Sequence, residues 1–225
     1  MYIPKDNLYN DQKDIRAFMA QNSFGILVSS IDGKPWGTHI PLELYTRLDG
    51  TEVLEGHIAR ANPQWKDLPD GAEVMVIFNG PHSYISSSWY DHENVPTWNY
   101  VAVHVYGKYK QVESDDLVAA LSRLTDKFEV NSEKPVSVKD FSEPFMKSHL
   151  RALVGFEIQI TDIQAKQKLS QNRDDKNHAA IVEKLELSED GQSKEIAQLM
   201  KDCRESLVDS GRRSVSESIV ASRES

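Results

Sequence analysis

Two Asp-Gly dipeptides, Asp32-Gly33 and Asp49-Gly50, punctuate an otherwise β-prone stretch that runs from Phe24 to Ile58. Glycine takes positive φ without steric penalty, so Asp-Gly between runs of β-branched and aromatic residues marks a tight hairpin turn. Phe24 to Ser30, Trp36 to Tyr45 and Thr51 to Ile58 are therefore expected as three antiparallel strands. Val74 to Phe78 and Tyr84-Ile85, parted by Asn79-Gly80-Pro81, continue the series, followed by Tyr100 to Tyr109, rich in β-branched and aromatic residues. Ala152 to Ile163 alternates apolar and polar side chains as a half-buried strand does. About seven short strands joined by tight turns point to a mainly β fold, a closed or nearly closed barrel with helices on its rim. A doubly wound sheet is disfavoured, because there is no βαβ alternation, no G-x-G-x-x-G and no phosphate-binding loop of the P-loop kind.

Helical spacing appears in four places. Ile15, Phe18 and Met19 make one apolar face over residues 11–21, and Leu117, Ala120, Leu121, Leu124 and Phe128 make another over 114–129. Ala179, Ile181, Val182 and Leu185 do so over 175–187, and Ile196, Leu199 and Met200 over 193–203, with Asp190-Gly191 between the two. Ala61 to Leu68 reads as one or two turns, with Asn62 as N-cap and Pro63 at the first helical position, where its missing N–H costs nothing. The segment holding Pro135 and Pro144 reads as a loop. The expected organisation is a barrel domain over 1–165, a helical appendage over 166–205 and a tail over 206–225. Seven of the last 22 residues are serine, a composition that buries too little apolar surface to offset the entropy of ordering, so the tail is expected to be disordered.

Charge narrows the functional classes. The 225 residues carry 26 Lys and Arg against 35 Asp and Glu, a formal charge of −9. Affinity for nucleic acid comes largely from cations displacing counterions, so an acidic body argues against nonspecific DNA coating. The single cysteine, Cys203, makes no intramolecular disulfide, the amino-terminal sequence lacks a signal peptide's apolar run, and no stretch approaches 18 apolar residues. A soluble cytoplasmic protein is expected. The histidines lack H-x-H or H-E-x-x-H spacing, so no metal site is expected, and Ser86-Ser87-Ser88 without G-x-S-x-G gives little support to a serine hydrolase.

Three stretches concentrate possible binding chemistry. Eight of the 19 aromatic residues fall between Phe78 and Tyr109, which suits either a planar ligand or a barrel core and dimer seam. Arg60 stands at a strand end just before the Asn62 cap, where its guanidinium and the first-turn N–H groups could meet one anion, or where it could simply be salt-bridged. Lys168 to Arg173 places two cations and three side-chain donors in six residues after the last strand, either over an anion at the barrel rim or as a solvated loop. His57 alone reads as a sheet histidine.

Four motifs, in order, make the pattern specific: GHIARANPQW (56–65), FNGPHSYISSSWY (78–90), VPTWNYVAVHVYGK (95–108) and KLSQNR (168–173). Together they resemble the PaiB-like family of FMN-binding proteins over about residues 1–205, with Ser87 where the family usually carries proline and a tail foreign to it. The resemblance implies a split β-barrel of the pyridoxamine-phosphate-oxidase kind, a homodimer with FMN in a cleft between subunits, and a role as a negative transcriptional regulator of sporulation and protease synthesis. It implies a cofactor-binding set of His57, Arg60, Asn62, Trp89, Tyr90, Trp98, Asn99, Lys168 and Arg173. Within it, Arg60 and Asn62 are candidates for the phosphate and ribitol, and Trp89, Tyr90, Trp98 and Asn99 for the ring. Lys168 and Arg173 are expected to reach in from the neighbouring subunit. With no basic stripe and no helix-turn-helix pattern, direct DNA binding is doubtful, and regulation through flavin, a small-molecule ligand or a protein partner is expected. The competing expectations are an FMN-dependent oxidoreductase, with His39, His57, His82 and Tyr90 as acid–base candidates, and an interaction scaffold that has lost its flavin.

Overall fold

The structure, a computed structural model, describes residues 1–112 and 114–209. Seven strands are formed, β1 (Phe24–Ile31), β2 (Lys34–Pro41), β3 (Glu43–Thr46), β4 (Glu52–Ala59), β5 (Glu73–Ile85), β6 (Thr97–Val112) and β7 (Leu153–Lys168). The helices are α1 (Gln12–Gln21), α2 (Ser114–Glu129), α3 (Glu143–Leu150), α4 (Asp175–Glu186) and α5 (Gly191–Asp209). The expected number of strands is met, but by a different partition. Trp36 to Tyr45 is two strands, because Leu42 breaks the ladder: its N–H donates to the Ser23 carbonyl and its side chain is buried. Val74 to Phe78 and Tyr84-Ile85 are one strand, which runs straight through Asn79-Gly80-Pro81. The β1 register runs from Met75 to Ile77, so that ladder asks for no N–H at Pro81.

Residues 11–78 and 103–164 form one compact unit. The sheet order is β2-β1-β5-β6-β7-β4-β3, which puts β2 and β3 at opposite ends although only Leu42 separates them in the chain. A sheet whose two outermost strands are joined by one residue must roll up until those edges meet. Leu42, Phe78, Tyr109 and Phe156 are buried inside it, with the Tyr109 and Phe156 rings stacked at 5.4 Å. Tyr109 is desolvated there and its phenol is pushed up to about 12. The roll is tight: a Cβ on Gly107 would sit 2.4 Å from the Gln159 carbonyl oxygen. The β1–β2 hairpin turns on Asp32 and Gly33, both at positive φ, as Asp-Gly chemistry requires.

Helix α1, capped by Asp11, buries Ile15 and Met19, and Arg16 pairs with Glu52 of β4. Helix α2 is tied to β4 and β3 by Arg123–Glu55 and Lys127–Glu43 pairs, while Phe128, expected on its apolar face, is exposed. Helix α3 lies in the segment expected as a loop. Pro144 stands in its first turn, where proline starts a helix instead of breaking one.

Residues 1–10, 79–102 and those from 165 onward form the other unit. It holds the outer part of β5, the start of β6, the end of β7 and the pair α4 and α5. Ile181, Val182 and Leu185 of α4 and Ile196, Ala197 and Met200 of α5 are buried; of the residues that helical spacing puts on these faces, Ala179 is exposed and Leu199 half-buried, while Ala197 is not among those expected there. Asp174 caps α4 through the Asn177 N–H. Helix α5 continues to Asp209, past the expected boundary at 205; the rest of the expected disordered tail, 210–225, lies outside the described residues.

Candidate functional site

The nine expected cofactor-binding residues fall in both units. In the first, His57 lies on β4 opposite Gly155 and faces Leu117, Ala120 and Leu124 of α2. Burial pushes its imidazole below the usual histidine range, which fits a sheet histidine kept neutral under a helix. Asn62 caps a 3₁₀ turn, Pro63–Asp67, by accepting the Gln64 N–H, and donates to the Thr38 hydroxyl at 3.0 Å. Thr38 in turn donates to fully buried Gln64, whose amide reaches the Ser29 hydroxyl at 2.9 Å. Arg60 donates through Nε to the Arg151 carbonyl and through Nη2 to the Leu153 carbonyl, each at 2.8 Å, and lies over the Trp65 ring at 5.6 Å. Its guanidinium thus clasps the entry to β7.

The other six residues share the second unit, in two places. Lys168 donates to Thr97 of β6, and Asn99, fully buried, accepts from the Ser170 hydroxyl at 3.1 Å. The KLSQNR segment is a tight turn with Ser170 at φ 59°, a left-handed conformation unusual for serine and of the kind that collects at binding sites. The turn closes with the Arg173 N–H on the Ser170 carbonyl. It directs the Arg173 guanidinium 5.0 Å over the Tyr90 ring.

Lys166, two residues before Lys168 on the same strand, completes a cluster that sequence reading missed. It is buried, with its ammonium 3.3 Å from the Tyr2 carbonyl and 5.2 Å from the Tyr100 ring. Desolvation first, then repulsion from Lys166 and Arg173, holds the Lys168 ammonium below its usual range. Among the described residues none of the three cations has an ion-pair partner, and both Arg173 Nε and the Tyr90 hydroxyl are buried without a hydrogen bond. Three cations without an acidic partner among the described residues, one of them with an unmet Nε donor, in a chain of net charge −9, have the chemistry that suits an anion. The missed signal was the i, i+2 repeat of Lys166 and Lys168 running into KLSQNR.

Trp89 and Trp98 line a cleft of about 550 Å³. Its aromatic wall adds His82 and Tyr84, whose rings lie 6.0 and 5.9 Å from that of Trp98. Tyr84 and Trp98 remain 46% and 51% exposed, high values for large aromatic side chains on a sheet. The opposite wall is the end of α4 and the start of α5, and a buried 2.9 Å hydrogen bond between Ser83 and Ser193 joins the two walls. Of the four acid–base candidates, His82 faces this cleft and Tyr90 the cationic cluster; His57 lies under α2 and His39 beside Phe24 on the β1–β2 hairpin. Among the described residues no group of three His, Cys, Asp or Glu side chains could hold a metal ion.

The family described as "Putative FMN-binding domain" matches residues 1–162. The chain belongs to this FMN-binding family. Within the family's range of relatives, the chain is 43% identical over 202 residues to the protease synthase and sporulation protein PAI 2 of Bacillus subtilis, covering 90% of this chain and 97% of the relative. Such coverage extends past residue 162, so the likeness reaches into the segment that follows the FMN-binding domain. An uncharacterized protein of Aspergillus fumigatus is 28% identical over 225 aligned positions, 76% of this chain and 85% of that one. Among solved structures, the FAD and haem binding protein of Mycobacterium smegmatis aligns with a TM-score of 0.53 at 16% identity, over 72% of this chain and 73% of its own. The flavocytochrome Anf3 of Azotobacter vinelandii aligns at 0.51 and 17%, over 76% and 74%. These likenesses establish the fold, a split β-barrel with helices. The cofactor of the FMN-binding domain is FMN; the cationic cluster has the chemistry to hold a phosphate and the aromatic cleft the chemistry to hold a planar ring. No helix among the described residues is long and apolar enough to cross a membrane.

Proposed function

We propose that this chain is a PaiB-type regulator that senses a small molecule or redox state through bound FMN, works as a cytoplasmic homodimer, and represses transcription without gripping DNA by itself. The observation that carries the flavin part is the set of unpaired cations Lys166, Lys168 and Arg173 beside the unmet Tyr90 hydroxyl and Arg173 Nε. In this reading Lys168 and Arg173 hold the phosphate, Tyr90 and Asn99 shape the floor beneath it, and Trp89 and Trp98 flank the ring. Bound FMN would supply reversible electron transfer; the chain's own part is to bind, orient and shield it. Arg60 and Asn62, candidates for the phosphate on sequence grounds, have donors engaged by backbone carbonyls and Thr38, so the proposal gives them a supporting role.

The regulatory part draws on the relative named for protease synthesis and sporulation and on the acidic body. The test is direct. Purified protein should be yellow and release FMN on denaturation, and should give no tight sequence-specific gel shift alone. A colourless protein that ignores added FMN overturns the flavin reading, and a strong shift by the pure protein overturns the indirect mode. His82 in the cleft supports a second reading, an FMN-dependent oxidoreductase, which steady consumption of NADH or NADPH by the flavin-loaded protein would favour.

A further inference from the structure

Resting on the anion part of the flavin reading, we propose that α5 regulates the cationic turn: Met200 and Arg204 are positioning residues that hold the turn at both ends, so that docking of α5 and binding of a phosphate strengthen each other. The two residues stand four apart on α5 and so share a face. Buried Met200 accepts the Asn99 amide through its sulfur at 3.4 Å, and Asn99 in turn accepts the Ser170 hydroxyl at 3.1 Å. That chain of bonds secures the first end of the turn. Arg204 secures the other, donating through Nη1 to the Arg173 carbonyl at 2.8 Å and through Nη2 to the Asp175 carboxylate. Its side chain is only 14% exposed, and its charge is answered by Asp175. Arg204 therefore acts on the backbone of the turn and leaves the anion to Lys168 and Arg173.

Two forces work against this turn. A serine at φ 59° persists only where its surroundings over-determine it, and Lys168 is repelled by both Lys166 and Arg173. The bonds from α5 work for it. A turn already held by α5 presents its cations to an arriving anion with little ordering cost, and an anion that cancels the repulsion steadies the residues that Asn99 and Arg204 grip. These are two views of one coupling free energy, and reciprocity makes them equal. Met200 and Arg204 lie well beyond residue 162, where the match to the FMN-binding domain ends, so the affinity of the site is set in part by a helix outside the matched segment.

The experiment is fluorescence titration of the full chain with FMN and with riboflavin, which lacks the phosphate, in a double-mutant cycle of Arg204→Met and Arg173→Ala. Arg204→Met should weaken FMN about tenfold and leave riboflavin within about twofold. With Arg173→Ala already present, the same change should cost FMN no more than about twofold, because its effect passes through Arg173. Arg204→Lys, which keeps the charge and a donor, should recover part of the loss. Hydrogen exchange reads the coupling from the other side: FMN should slow exchange of the α5 amides about tenfold in the wild type and not in Arg204→Met. FMN bound normally by Arg204→Met, an equal loss for riboflavin, the full loss repeated on Arg173→Ala, or α5 exchange unmoved by FMN overturns this inference and leaves the flavin reading standing. Wild-type protein that ignores FMN but binds inorganic phosphate overturns the flavin reading alone, and the Arg204 comparison is then made with phosphate. Protein that takes up neither overturns both.

Discussion

Arg60 and Arg173 are both arginines beside an aromatic ring in the turn that follows a β-strand, yet their protons go to different places. Arg60 lies over Trp65 and sends Nε and Nη2 to two carbonyls of its own unit. Arg173 lies over Tyr90 with Nε buried and unmet, beside two lysines that also lack an acidic partner among the described residues. The first is closed on itself, and the second leaves one buried donor without an acceptor among the described residues. The comparison teaches that a cation's role is decided by where its donors end, which neither residue type nor position beside a capped turn reveals.

The largest effect should come from the open side. Arg173→Ala is expected to weaken FMN by about 2–3 kcal/mol, the range for charged hydrogen bonds to an anion, and to leave riboflavin within twofold. Equal losses for the two ligands in a titration would break the contrast. Acid sharpens it on the same side. Burial first, then the charge of Arg204, presses the His178 imidazole down to about 4. The folded unit therefore keeps it neutral while the unfolded chain takes up the proton. Stability present above about pH 6.5 should fall as pH drops toward 4, on the order of 2–3 kcal/mol. Urea unfolding midpoints over that interval check it, and His178→Gln should flatten the slope.

On the closed side the effects concern folding alone. Gln64→Leu strands Thr38, Ser29 and the Leu27 carbonyl inside the roll and should cost about 2 kcal/mol in urea unfolding with FMN affinity unchanged. Arg60→Ala should cost about 1 kcal/mol. If its FMN affinity falls tenfold or more instead, Arg60 joins the anion site and the comparison fails.

Much of the roll was legible because hairpin chemistry is local: Gly33 and Gly50 take the positive φ that Asp-Gly promises. Helix positions followed for the same reason, since apolar spacing in α1, α4 and α5 reports the buried face. The split at Leu42 was not legible, because it is imposed by edges that meet in three dimensions. Pro81 and Pro144 misled in opposite directions, one crossed by a strand and the other opening a helix. For the candidate site, motif position pointed to Tyr90, Asn99 and KLSQNR, and the structure brings these together around Arg173 and Lys168. It gave no hint that Arg60 would be engaged or that Lys166, which looks like an ordinary solvated charge on a strand, would be buried with no ion-pair partner among the described residues.

The single-residue passage at Leu42 has a further consequence for the order of assembly. β2 finds its partner β1 within a hairpin, but β4, on the far side of Leu42, pairs with β7, so that Val53 waits for Gln159. Such distant pairing slows folding, because the loop entropy is lost before the contacts are gained. Until Leu153–Lys168 has been synthesised, the growing chain carries β4 as an open edge, and closure of the roll must be among its last events.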